Sequence, residues 1–147
     1  GGPWKLTLWR NNGAKPEVHA QIPIEWIYPL YNAAFSPDGR FLAHTPRSPW
    51  EIAIVDLTGS EPREINKFTS DKVAGDYSRL AFHPDGKRLA IGSLPGICIL
   101  DVSSQQVVWE WQSPGRICWL GWAADGRHLV THNSNHSLYV LRFKDLP

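Results

Sequence analysis

Methionine is absent from this 147-residue chain, which opens Gly1-Gly2-Pro3. A native reading frame begins with methionine, so these residues are expected to be a piece of a longer polypeptide or a trimmed product. Cysteine is scarce: Cys98 and Cys118 are the only two, each inside an apolar run. Two cysteines make no disulfide framework. They are expected as free thiols of a reducing, cytoplasmic setting, with one bridge between neighbouring strands as the alternative. No apolar run approaches the roughly 20 residues of a membrane helix. Nor does the start show the charged-then-apolar order of a secretory signal, so no membrane partner is expected. Blocks of like charge are missing too. Fifteen basic against 14 acidic residues leave a net charge of +1, which argues against a nucleic-acid surface. Helical periodicity is the last absence: no useful window places apolar residues three and four apart.

What is present is one phrase used three times. Residues 81–93, AFHPDGKRLAIGS, read as strand, turn and strand. Pro84 presets φ at the second turn position, and Gly86 accepts the positive φ near its end. The same phrase stands at residues 34–43, AFSPDGRFLA, and returns without its proline at residues 121–130, GWAADGRHLV. Gly39 and Gly86 are 47 residues apart, and Gly86 and Gly126 are 40 apart. A period near 40–45 residues with four strands per unit belongs to propeller blades.

Naming the strands of each unit a to d from the centre outwards, the chain enters in mid-unit. Residues 4–22 supply a c–d half blade. Residues 31–68 and 77–112 supply two complete blades, and residues 116–143 supply strands a to c. The expected fold is all-β: a single partial β-propeller over residues 1–147, about three and a half four-stranded antiparallel blades. The b and c strands are nearly unbroken apolar runs, such as Ile97-Cys98-Ile99-Leu100. A sheet with one wet face alternates, so unbroken runs predict cover on both faces, as between neighbouring blades. Each a strand sets a small residue before an aromatic: Ala34-Phe35, Ala81-Phe82 and Gly121-Trp122. Inner strands converge, and this predicts one narrow and one filled face. In the d strands, Val18, Ala20 and Ile22 alternate with Glu17, His19 and Gln21. Likewise Val107, Trp109 and Trp111 alternate with Val108 and Glu110. Each set is expected to share one face.

The phrases FSPDGR and FHPDGK, each followed by Leu-Ala, resemble those of WD-repeat β-propellers over nearly the whole chain. Residues 36–59 are also similar to TolB-type propeller repeats. The c-strand slots that end in Trp-Asp in the WD-repeat family hold Trp9-Arg10, Val55-Asp56, Leu100-Asp101 and Leu141-Arg142 here. No Gly-His pair precedes an a strand. The resemblance implies a binding platform, not an enzyme, with a protein or peptide held where the d–a and b–c loops emerge. Candidate contact residues are Trp50 with Arg47, because Trp and Arg dominate interface hot spots, together with Trp26, Arg116 and His136. Accessory gating of a hydrolase, and restraint of an attached kinase or nucleotide-driven switch, are the alternatives.

No Gly-x-Ser-x-Gly elbow, phosphate-cradling glycine loop or metal-spaced cysteine pair is present. No catalytic residue, cofactor or metal is therefore expected. His128, His132 and His136 are spaced by four, which would form a metal stripe only on a helix. Here they straddle a strand and its turn. Asn135-His136-Ser137 matches a glycosylation sequon. Thirteen strands make an open arc, whereas a ring needs four to eight blades. Each open flank is expected to bare about 500 Å². At roughly 25 cal/mol per Å² this forgoes on the order of 12 kcal/mol of gross stabilisation. Ring closure by another copy, or by the rest of a longer protein, is expected.

Overall fold

Three Asp-Gly turns set the repeat of the fold. Gly39, Gly86 and Gly126 adopt φ of 70°, 70° and 65°, a left-handed conformation open to glycine at little cost. Their amides donate to the carbonyls of Ser36, His83 and Ala123. In each turn the aspartate Oδ1 accepts from the amide two residues on: Arg40 to Asp38, Lys87 to Asp85 and Arg127 to Asp125. The third turn, which lacks proline, closes in the same way. The aspartate and glycine therefore carry the geometry.

The computed structural model describes residues 4–13, 15–24, 32–45, 51–69, 79–94 and 96–146. Among these, thirteen antiparallel strands form four sheets. A hairpin pairs β1 (Trp4–Asn11) with β2 (Pro16–Ile24). The first sheet is β3 (Ala33–Phe35), β4 (Phe41–His44), β5 (Glu51–Asp56) and β6 (Arg63–Thr69). The second is β7 (Arg79–Phe82), β8 (Arg88–Gly92), β9 (Gly96–Asp101) and β10 (Gln106–Gln112). The third stops at three: β11 (Ile117–Trp122), β12 (His128–Asn133) and β13 (Leu138–Arg142). No helix among the described residues is long and apolar enough to cross a membrane.

The sheets fan out from their first strands. β7 lies against both β3 and β11, and apolar side chains fill the wedges between sheets. One core joins Ala43, Ile52 and Ile54 of the first sheet to Leu80, Phe82, Leu89, Ile91, Cys98 and Leu100 of the second. Another joins Ala90, Ile97 and Ile99 to Ile117, Leu120 and Leu129 of the third. A smaller one seats Leu8 and Ala20 of the hairpin on Leu42 and Val55. β9 is thus buried on both faces, as its unbroken apolar run predicts. Among the described residues the arrangement is a partial β-propeller of about three and a half blades, with neither end of the arc closed.

Two expectations about strand faces are overturned, and by one cause. Register shifts in β1–β2, β5–β6 and β9–β10 leave His19, Ile65 and Val108 as extra residues in the outermost strands. A bulge reverses which face each following residue takes. Val18 therefore sits opposite Trp9 and is exposed, while Ala20 turns inward opposite Leu8. Val107 faces the first sheet, while Trp109 and Trp111 face the third. Counting by twos along the sequence does not reveal an inserted residue.

Candidate functional site

The loops joining β10 to β11 and β12 to β13 meet at one end of the third sheet. The Arg116 amide donates to Ser134 Oγ at 3.1 Å, and the Ser134 amide returns a bond to the Arg116 carbonyl at 2.9 Å. Gly115 presses on Asn135: an added Cβ would lie 3.1 Å from its Cγ. His136 turns the chain at φ 62°, with its amide donating to the Asn133 carbonyl. Asn135 Oδ1 accepts from the amide and the hydroxyl of Ser137. Asn135 Nδ2 donates to Tyr139 Oη at 3.4 Å. Bonds from Ser137 and Asn135 hold the Tyr139 phenol below its ordinary pKa.

Arg116 and His136 are thereby carried, both exposed, on two neighbouring backbone-braced loops. The segments bearing Trp26, Arg47 and Trp50 join β2 to β3 and β4 to β5, and these three residues lie outside the described residues. The cluster offers hydrogen-bond donors, a guanidinium and an imidazole. The three histidines at four-residue spacing separate: His128 Nδ1 lies 2.7 Å from Asp125 Oδ2 at the Asp-Gly turn, and His136 is at the opposite end of the sheet. Among the described residues no three His, Cys, Asp or Glu side chains gather to hold a metal. Cys98 and Cys118 are both free thiols.

A second surface is the open flank of the third sheet. Leu57, Val102 and Phe143 occupy equivalent places, each donating its amide to the carbonyl of the residue after the turn glycine. Counting back, Ile52, Ile97 and Leu138 are equivalent, as are Ile54, Ile99 and Val140. The four isoleucines are 0–3% exposed, each covered by the next sheet, whereas Leu138 is 69% and Val140 62% exposed. Trp119 is 53% exposed on the same flank and lies across Gly121, where an added Cβ would come 2.7 Å from its ring. Trp109, Trp111 and Trp122 meet Phe143 or Tyr139 edge-on or tilted, whereas no described sheet lies beyond Trp119. The flank was foreseeable in outline from the strand count, but not residue by residue.

The hairpin's outward flank is different in kind. Trp9 and Val18 are exposed, but beside them Lys5 Nζ donates to Gln21 Oε1 at 3.2 Å, and Arg10 Nη2 lies 3.5 Å from His19 Nε2. The two ends of the arc are not equally apolar.

No protein-family model and no curated protein matches the chain.

Proposed function

We propose that this chain is a non-catalytic interaction scaffold: an arc of a degenerate WD-repeat-type propeller whose ring is completed by further blades. Those blades come from another copy or from the rest of a longer polypeptide. The braced loop end carrying Arg116 and His136 receives a protein or peptide. One observation carries the reading. Positions that are sealed twice within the chain, at Ile52 with Ile54 and at Ile97 with Ile99, recur bare at Leu138 with Val140. Apolar surface gathered on one flank and rimmed by polar residues marks an interaction face. Free thiols at Cys98 and Cys118 accord with a reducing, cytoplasmic setting.

Size-exclusion chromatography with light scattering tests the reading. The isolated chain should run above monomer mass at micromolar concentration. V140K should return it to a folded monomer, because the lysine lies on the flank and not in a core. A well-folded lone monomer of the unaltered chain would refute ring completion.

A further inference from the structure

Four bonds in the sequence join an asparagine or aspartate to glycine: Asn12 to Gly13, Asp38 to Gly39, Asp85 to Gly86 and Asp125 to Gly126. Glycine has no Cβ to shield its nitrogen from the preceding side chain. The fold treats the four bonds unequally. We propose that Asn12 is a deamidation site, where the folded chain, with water as co-reactant, turns its own carboxamide into the carboxylate of aspartate and isoaspartate.

The reaction needs no outside catalyst. The Gly13 nitrogen gives up its proton and attacks Asn12 Cγ. A bond from that nitrogen to Cγ forms, the Cγ–Nδ2 bond breaks, and Nδ2 leaves as ammonia with the proton. Water then opens the cyclic imide. Attack at Cγ restores the ordinary main chain and leaves aspartate. Attack at the Asn12 main-chain carbonyl leaves Gly13 joined through Cγ, which is isoaspartate. Nothing is oxidised or reduced.

Three of the four sites are locked. The Gly39, Gly86 and Gly126 amides donate to the main-chain carbonyls of Ser36, His83 and Ala123. Each aspartate Oδ1 is held by the amide beyond the glycine, from Arg40, Lys87 or Arg127. The nitrogen is thus occupied, and the carboxyl is drawn past it. The carboxyls are poor electrophiles as well. The Ser36 hydroxyl at Asp38 and the Arg127 amide at Asp125 hold them below the ordinary aspartate pKa, so both are ionised at neutral pH.

Asn12 has none of these restraints. It lies just past the last pair of the β1–β2 ladder, Asn11 with Pro16. Its side chain is exposed and, among the described residues, makes no hydrogen bond. The Gly13 amide donates to Asn11 Oδ1 at 3.0 Å, an exposed side chain that swings away without breaking the ladder. Nothing lies within 4 Å of a Cβ placed on Gly13, so the imide has room. Asn11 is equally exposed, but the residue after it carries a side chain. Asn135 is tied to Ser137 and Tyr139. The hairpin holds Lys5, Arg10 and Lys15 against Glu17, so a carboxylate at position 12 removes half of its net positive charge.

The test is incubation of the whole chain at neutral pH, folded and in denaturant, with peptide mapping by mass spectrometry at each site. A loop opens at little cost, so Asn12 should convert in the folded chain within about threefold of its rate in denaturant. Isoaspartate at Asp38, Asp85 and Asp125 should form at least about tenfold more slowly folded than unfolded. Asn11 and Asn135 should stay amides over the same period. The product should elute earlier on cation exchange, and its rate of formation should climb with pH, because the attacking nitrogen must lose its proton. G13A puts a Cβ beside that nitrogen and should slow conversion by about tenfold, folded or unfolded, a rise in barrier of about 1.4 kcal/mol. Conversion of Asn12 about tenfold slower in the folded chain than in denaturant would overturn the proposal, since the turn would then be locked like the other three. An undiminished rate in G13A, or aspartate formed without isoaspartate, would overturn it equally by showing direct hydrolysis of the side chain.

Discussion

His83 Nε2 lies 2.8 Å from the carbonyl oxygen of Gly126 and donates to it. The bond ties the turn of the second sheet to the turn of the third. The imidazole is nearly buried and meets the Trp122 ring edge-on at 4.6 Å. Two Asp-Gly turns of one repeat, 40 residues apart, are thus bolted by a side chain that belongs to neither strand pair.

H83A should cost about 1–3 kcal/mol, because it strands the Gly126 carbonyl and removes packing from Trp122. Gly126 and Gly39 make a matched pair for a second test. At Gly39 nothing lies within 4 Å of an added Cβ, but at Gly126 it would come 2.9 Å from His83 Nε2. G39A should cost only the left-handed penalty, roughly 1 kcal/mol. G126A should cost about 1 kcal/mol more, and that excess should vanish in the H83A background. Denaturant unfolding of the four variants checks it.

The flank gives a second matched pair. Ile97 and Leu138 hold the same strand position, one sealed and one bare. I97A should destabilise by about 2–5 kcal/mol. L138A should stay within about 0.5 kcal/mol of the parent when measured dilute enough to be monomeric. A large loss at Leu138 under those conditions would mean that its flank is covered within the chain.

His44 bears on acid sensitivity. Both ring nitrogens are buried without a hydrogen-bond partner among the described residues. Burial holds the pKa below the ordinary histidine value, against an opposing pull from Glu64 and Glu51. The unfolded chain therefore takes up the proton first as the pH drops. Stability should rise with pH wherever the unfolded state binds more protons, and so decline as pH falls below about 6.5. H44L should flatten that slope and add about 1 kcal/mol at neutral pH. Thermal melts from pH 8 to 5 separate the two chains.

Legibility followed the range of the cause. The Asp-Gly turns are local: the bonds that close each one lie within five consecutive residues, 36–40, 83–87 and 123–127, so the phrase was readable even where alanine replaces proline at position 124. Continuous apolar runs reported two-sided burial at Ile52–Val55 and Ile97–Leu100 for the same reason. The bulges at His19, Ile65 and Val108 were not readable, because an extra residue registers only against a partner strand. Neither was the bareness of Trp119, Leu138 and Val140. Their composition is that of core residues, and only the missing neighbour distinguishes them. At the loop end the sequence marked Arg116 and His136 by position alone. The Ser134 and Asn135 bonds that brace them are long-range in sequence or depend on turn geometry.

Asp101 closes the turn from β9 to β10. Its Oδ1 accepts from the Ser103 hydroxyl at 2.6 Å, from the amides of Ser103 and Ser104 at 3.0 and 2.8 Å, and from the Ser104 hydroxyl at 3.1 Å. These bonds, the Ser103 hydroxyl foremost, draw its pKa down to about 2. The turn they fix lets Gln105, at φ 57°, reach Asn66 Oδ1 of the first sheet at 2.7 Å. The folded pKa lies below the unfolded one, so the contribution is complete above about pH 4 and is lost only as the pH falls towards 2. An NMR titration of the Asp101 carboxyl should find that low midpoint. S103A should raise it towards the ordinary aspartate value, and by more than S104A does, since the Ser103 hydroxyl makes the shorter bond. D101N keeps an acceptor but loses the charge, so it should remove the pH dependence and weaken the turn throughout. Equal midpoints in S103A and the parent would show that the backbone amides alone hold the carboxylate.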